Sequence, residues 1–118
     1  MVTPLGRELR IVRLNRGELL KNMADRLGIT PAYLSAIENG KKLPTREFMQ
    51  KLFSSYEFSD EEQQILNDAK ARTLKEISIN FGEADDAAAD LGLLFAREFN
   101  NLSKTQIQGI SEILRRKD

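Results

Sequence analysis

The 118-residue sequence has no cysteine and no histidine. Without cysteine it has no disulfide framework, no thiolate nucleophile and no thiolate metal site. Without histidine it lacks the usual zinc ligands, the commonest general base and every Ser-His or Cys-His dyad. Only carboxylates, lysine, serine, threonine and tyrosine remain for chemistry. The expectation is therefore a protein that is not an enzyme, with no catalytic residue, no metal and no cofactor. No apolar run approaches the roughly 18 residues that a membrane span needs, and no apolar stretch follows basic residues at the N-terminus. A soluble, cytoplasmic protein without a membrane partner is expected.

Net charge is also missing, but only in the sum. Residues 1–58 hold ten basic residues against six acidic ones, a net of +4, and residues 59–118 hold eight against twelve, a net of −4. This polarity fits a molecule with one end facing an anionic partner, although chance partition of surface charge gives the same count.

A convincing alternating strand pattern is lacking as well, whereas apolar residues recur at spacings of three and four, so the chain reads as all-α. Thr3-Pro4 opens a first helix with Leu5, Leu9 and Val12 inward, ending near Gly17. A second runs from Leu19 to Leu27, burying Leu20, Met23, Ala24 and Leu27, and stops at Gly28. Thr30-Pro31 starts a third, with Leu34 and Ile37 inward and a stop at Asn39-Gly40. Thr45 caps a fourth, carrying Phe48, Leu52 and Phe53. Ser59 and Glu62 form a capping box for a long fifth helix, whose stripe Ile65, Leu66, Ala69, Leu74, Ile77, Phe81 runs to Gly82. A sixth helix spans about Asp85 to Phe99, and Ser103 with Gln106 caps a seventh. The implied division is 1–58 as a helix-turn-helix core, 59–82 as a long connecting helix and 83–118 as a C-terminal two-helix extension.

The richest stretch is Met23 to Lys41: two short helices joined by a tight glycine turn, with small Ala24 permitting a steep crossing. In that arrangement the second helix can enter a DNA major groove. The residues Leu9, Arg13, Ala24, Leu27-Gly28-Ile29, Tyr33-Leu34-Ser35, Ile37-Glu38-Asn39-Gly40-Lys41 and Pro44 resemble the lambda-repressor-like, Cro/C1-type (XRE family) helix-turn-helix regulators over about residues 4–56. The resemblance implies a five-helix DNA-binding domain whose reader helix spans residues 30–38. The function expected on this basis is a sequence-specific regulator of transcription bound to double-stranded DNA, a homodimeric repressor.

Carried over position by position, the base-contacting residues would be Pro31, Ala32, Tyr33, Ser35 and Ala36, and the phosphate-contacting ones Lys21, Thr30, Asn39, Lys41, Lys42 and Arg46. The reader has neither Arg nor Gln at its centre, so hydrogen-bonded readout is expected to be modest, with methyl contacts and DNA shape contributing much of the specificity. Tyr33 either packs on the first helix or reaches the DNA, and Lys41-Lys42 is either a solvated loop or a phosphate clamp. Glu38 is expected to pair with Arg13 inside the domain, since a carboxylate beside phosphates is repelled. Family members often start the second helix with Gln, which bonds a phosphate; Leu20 stands there instead, in the core or on an exposed apolar spot.

Leu91, Leu94, Phe95, Phe99, Ile110 and Leu114 make the last two helices unusually apolar. They either fold back as additional core or form a dimer interface, which a reader of two half-sites needs. The alternative function is an antitoxin that represses its own operon and binds a toxin, or another protein partner, through residues 60–118.

Overall fold

The structure, a computed structural model, describes residues 1–117. These form α1 (Pro4–Arg16), α2 (Leu20–Leu27), α3 (Pro31–Glu38), α4 (Arg46–Ser55), α5 (Asp60–Leu74), α6 (Asp86–Glu98) and α7 (Lys104–Arg115), with a 3-10 turn at Phe99–Asn101. There is no strand among the described residues, and the expected all-α class with five helices followed by two holds. None of these helices is long and apolar enough to cross a membrane.

The starts are encoded locally. Thr3, Thr30, Thr45, Ser59, Asp85 and Ser103 each accept a hydrogen bond from the backbone N–H three residues on, satisfying a donor that the helix itself leaves free. α2 starts differently. Leu19 has no side-chain acceptor, and its own N–H donates to Asn22 Oδ1 at 2.8 Å. α1, α2 and α3 stop at Gly17, Gly28 and Gly40, all with positive φ, where backbone amides turn back onto the last-turn carbonyls.

The chain divides into two units, Met1–Ile77 and Ser78–Asp118. The first has a continuous core. Leu5, Leu9 and Val12 of α1 meet Met23, Ala24 and Leu27 of α2, Leu34 and Ile37 of α3, Phe48, Met49 and Leu52 of α4, and Leu66 and Ala69 of α5. Leu20 and Phe53, expected inside, are partly buried against this core. α1 and α5 are also joined by a hydrogen bond: the Leu5 N–H donates to Thr73 Oγ1 at 3.0 Å, so α5 satisfies one of the free donors at the start of α1.

α5 is shorter than its stripe suggests. It ends at Leu74, with Lys75 left-handed at φ 59. The continuation Ile77-Ser78-Ile79-Asn80 combines β-branched residues with side chains that compete for backbone hydrogen bonds, both poor for a helix. Asn80 Oδ1 indeed accepts from the Gly82 N–H at 2.7 Å. The connecting helix expected over 59–82 therefore stops eight residues early, Ile77 is 70% exposed, and Ile65, also expected inside, lies exposed on the α1–α5 side.

In the second unit Phe81 lies against α6, its ring edge 2.8 Å from where a Cβ at position 92 would stand, so a larger residue there would push the ring aside. Phe95 and Phe99 meet edge to face at 5.4 Å. No described residue of this unit is buried.

Candidate nucleic-acid interface

The turn between α2 and α3 is fixed by its own backbone. The Gly28 N–H donates to the Asp25 carbonyl at 3.1 Å and the Ile29 N–H to the Ala24 carbonyl at 3.0 Å. Gly28 sits at φ 70, a conformation costly for a residue with a Cβ. Ile29 then packs on the core. Thr30 caps α3 through Tyr33 N–H, and Pro31 occupies its first turn, where no backbone donor is needed.

α3 has two faces. Leu34, Ile37 and Glu38 point inward and are buried. Glu38 is only 1% exposed, and a buried carboxylate needs partners. Arg13 donates to it through both terminal nitrogens, Nη2 to Oε1 at 3.0 Å, and Arg10 Nε reaches Oε1 at 3.4 Å. The Glu38 carbonyl accepts from the Thr3 N–H at 2.9 Å. Beside it, Gly6 lets α1 approach so closely that a Cβ would stand 2.3 Å from that oxygen. The end of α3 is thus locked to the start of α1 by a buried ion pair and a backbone contact. The Arg13–Glu38 pairing matches the sequence expectation; the parts of Arg10, Thr3 and Gly6 did not stand out there. A glycine inside an otherwise helical pattern is the one available signal for Gly6.

The outward face of α3 carries Pro31 and Ala32, both exposed, and Ser35 and Ala36, both half-buried. These four recur at helical spacing on one side. Tyr33 stands at the edge, half-buried and packed against the core. Asn39 is less free than a phosphate ligand would be, since its amide donates back to the Ser35 carbonyl at 2.9 Å and approaches Ser35 Oγ at 3.4 Å. Thr30 at the α3 cap and Lys41 and Lys42 just after α3 are exposed, as are Lys21 on the first turn of α2 and Arg46 at the start of α4. Among the described residues none of these four cations makes an ion pair. The Lys41 and Lys42 amides both donate to the Ala36 carbonyl, at 2.9 and 3.1 Å, so this loop is held by its backbone while its side chains project.

Two other arginines are already committed. Glu18 Oε2 accepts from Arg26 Nε at 3.2 Å and from the Tyr56 hydroxyl at 3.5 Å. The guanidinium groups of Arg26 and Arg16 lie 4.7 and 5.4 Å from the centre of the Tyr56 ring. This cluster ties the α1–α2 loop to the end of α4, and sequence patterning gave no sign of it. Burial pushes the Tyr56 hydroxyl above its ordinary value, and the neighbouring Glu18 carboxylate adds to the effect. Arg16 also reaches Glu62 at 3.6 Å. The Ser59 N–H, donating to Glu62 at 3.0 Å, is the main reason that carboxyl is held below its ordinary range.

The six apolar residues singled out in the C-terminal extension belong to the second unit. Leu91, Leu94, Phe99 and Leu114 are exposed there, and Phe95 and Ile110 are half-buried, so within that unit they form no core.

No curated protein and no solved structure matches the chain. A family model described as a helix-turn-helix domain matches residues 4–65, which span α1 to α4 and the first turns of α5. The chain therefore belongs to the helix-turn-helix domain family typical of XRE-like transcription regulators, a DNA-binding class.

Proposed function

We propose that the protein is a sequence-specific regulator of transcription that lays α3 in the major groove of double-stranded DNA and, as a homodimer, represses by covering a promoter. The observation that carries this reading is the outward face of α3, small and uncharged, with the unpaired Lys41 and Lys42 just after it. A groove-entering helix needs a surface that reaches base edges without steric bulk, and flanking cations that neutralise phosphates. In this reading Ala32 and Ala36 touch thymine methyls, Ser35 exchanges one hydrogen bond with a base and Tyr33 bonds a base or a phosphate. Thr30, Lys21, Lys41, Lys42 and Arg46 hold the backbone, and Asn39 joins them by leaving Ser35. Residues 1–58 read DNA, α5 connects, and residues 83–118 pair two copies so that two half-sites about one DNA turn apart are read together.

Footprinting on the DNA upstream of the gene tests this, alongside an Ala36→Glu variant. The expected result is a protected site of two related halves, lost in the variant while its helical content is unchanged. Equal binding of both proteins to that DNA, or no site-selective protection by the natural protein, would overturn the proposal.

A further inference from the structure

Glu76–Phe81 lies outside every helix and turn of the chain. Lys75 is the one non-glycine residue at positive φ among those described, so the stretch has negative φ throughout, as a strand requires. Its order Ile77-Ser78-Ile79-Asn80-Phe81 alternates apolar and polar residues, and isoleucine and phenylalanine favour strands. In an extended chain successive side chains point to opposite sides, which puts Ile77, Ile79 and Phe81 on one face. The helical spacing of Leu74, Ile77 and Phe81 hides this short alternation in the sequence.

The backbone of the stretch is unused. Among the described residues the N–H groups of Ile77 to Phe81 and the carbonyls of Ile77 to Asn80 have no hydrogen-bond partner within the protein. The Phe81 carbonyl accepts from the Ala84 N–H and Asn80 Oδ1 from the Gly82 N–H, which closes the stretch with a turn. Ile77 and Ile79 are 70% and 65% exposed. A row of free backbone donors and acceptors beside an apolar face is one half of a β-ladder. An isolated pair of strands is marginal in water, and the described residues contain no strand, so a second copy offers no sheet to join. The occupant that fits is a protein that already has a sheet.

The charges at the two ends describe that protein further. Glu76 and Glu83 bracket the stretch, and neither makes an ion pair among the described residues. Glu76 follows the C-terminus of α5, where the helix dipole disfavours an acid, and Glu83 lies two residues before the Asp85 cap of α6. Neither therefore serves a helix end. Lys75, by contrast, is the cap residue of α5, where a cation suits the dipole.

We infer that Ile77–Phe81 is a strand-addition site that docks on the open sheet edge of a protein partner, with basic side chains of that edge facing Glu76 and Glu83. Main-chain hydrogen bonds supply the affinity, and Ile77 and Ile79 enter apolar pockets on one face of the partner's sheet. The site is separate from the DNA-reading face of α3 and does not depend on how two copies of the chain pair.

The test uses the full chain and a defined probe, a three-stranded antiparallel miniprotein whose open edge strand alternates valine and threonine and ends in lysine on both sides. A second version of the probe ends in glutamate. Each is titrated into the chain while amide hydrogen exchange is followed residue by residue by NMR. The amides of residues 77–81 are expected to slow with the lysine probe, half-saturating below about 1 mM. The glutamate probe binds at least about tenfold more weakly, because like charges then meet across the strand pair. A Ser78→Pro/Ile79→Pro variant loses one donor from each edge of the strand, leaves every helix intact and does not bind. Ser78→Thr keeps all the donors and binds at least as tightly as the natural chain.

Absence of protection at residues 77–81 up to about 1 mM lysine probe overturns the site. So does equal binding by the proline variant, or protection confined to α6 and α7. Protection of residues 77–81 that grows with the concentration of the chain alone also overturns it, since the occupant is then a second copy.

Discussion

Replacing Gly6 by alanine should destabilise the first unit, although alanine is the better helix former. The added Cβ would stand 2.3 Å from the Glu38 carbonyl oxygen and 2.9 Å from the Glu38 carbonyl carbon and Cα. All three are backbone atoms, so no side chain can swing aside. α1 must move away from α3 by about 1 Å to reach ordinary contact, at an overpacking cost of about 1–3 kcal/mol. The same shift stretches the 2.9 Å bond from Thr3 N–H to Glu38 O, which contributes about 1 kcal/mol. Against this, alanine gains at most about 1 kcal/mol in helix propensity. The net is a loss of about 2 kcal/mol, or roughly 8–16 °C in Tm for a unit of this size. Tyrosine fluorescence isolates the effect, because both tyrosines of the chain, Tyr33 and Tyr56, lie in the first unit and there is no tryptophan. Gly109→Ala is the matched control: nothing lies within 4 Å of its added Cβ, so propensity acts alone and α7 gains up to about 1 kcal/mol. A Gly6→Ala protein that melts at or above the natural midpoint would refute the close-approach argument.

Glu38→Gln keeps the shape of the side chain but leaves Arg13 buried without its anionic partner, and urea unfolding should show a loss of about 3 kcal/mol or more; a loss below about 1 kcal/mol would mean the arginines relocate to water. Alanine at both Lys41 and Lys42 should flatten the log–log salt dependence of operator binding by roughly 1.8, about 0.9 per released phosphate contact, with melting unchanged, whereas an unaltered slope would return the loop to a solvated role. Glu62 binds its proton less readily in the folded chain than in the unfolded one, chiefly because of the Ser59 N–H. Its stabilising contribution is therefore fully present above its ordinary value of 4.5 and fades as pH falls through the lower folded value. Glu62→Gln should accordingly reduce the acid sensitivity of melting below pH 4.5, and identical acid profiles would discount the cap as its source.

Helix placement was legible wherever one residue carries both the signal and the physics. A Thr, Ser or Asp that accepts from the backbone three residues on needs no tertiary information, and neither does a glycine at positive φ that stops a helix. Six of the starts and the three glycine stops before residue 41 are of this kind. The end of α5 was obscured because the spacing of Leu74, Ile77 and Phe81 suits a helix while the backbone preferences of the intervening residues oppose it. Periodicity measures only whether a helix would be amphipathic. Asn80 and the β-branched pair around Ser78 decide whether one forms, and Phe81 finds its contact on Gly92 instead.

The site divides along the same line. Which side chains of α3 face outward follows from the positions of Leu34 and Ile37, since once those are inward a 3.6-residue period places Ala32, Ser35 and Ala36 outside. What holds α3 at its angle could not be read in this way, because it consists of contacts across long sequence separations: Arg10 and Thr3 with Glu38, Gly6 with the Glu38 backbone. The same holds for the free cations. Lys41, Lys42, Lys21 and Arg46 are left without an ion pair among the described residues, whereas Arg10, Arg13, Arg16 and Arg26 are engaged within the protein, so half of the eight cations just named serve the fold. Six of the ten basic side chains of residues 1–58 make no ion pair among the described residues, Arg7 and Lys51 besides Lys21, Lys41, Lys42 and Arg46, and the acids Glu18 and Glu38 are largely consumed in holding the committed arginines. Exchanging Arg26 for a neutral residue would therefore free the Glu18 carboxylate, not weaken a phosphate clamp, and its effect on operator affinity should appear through stability alone.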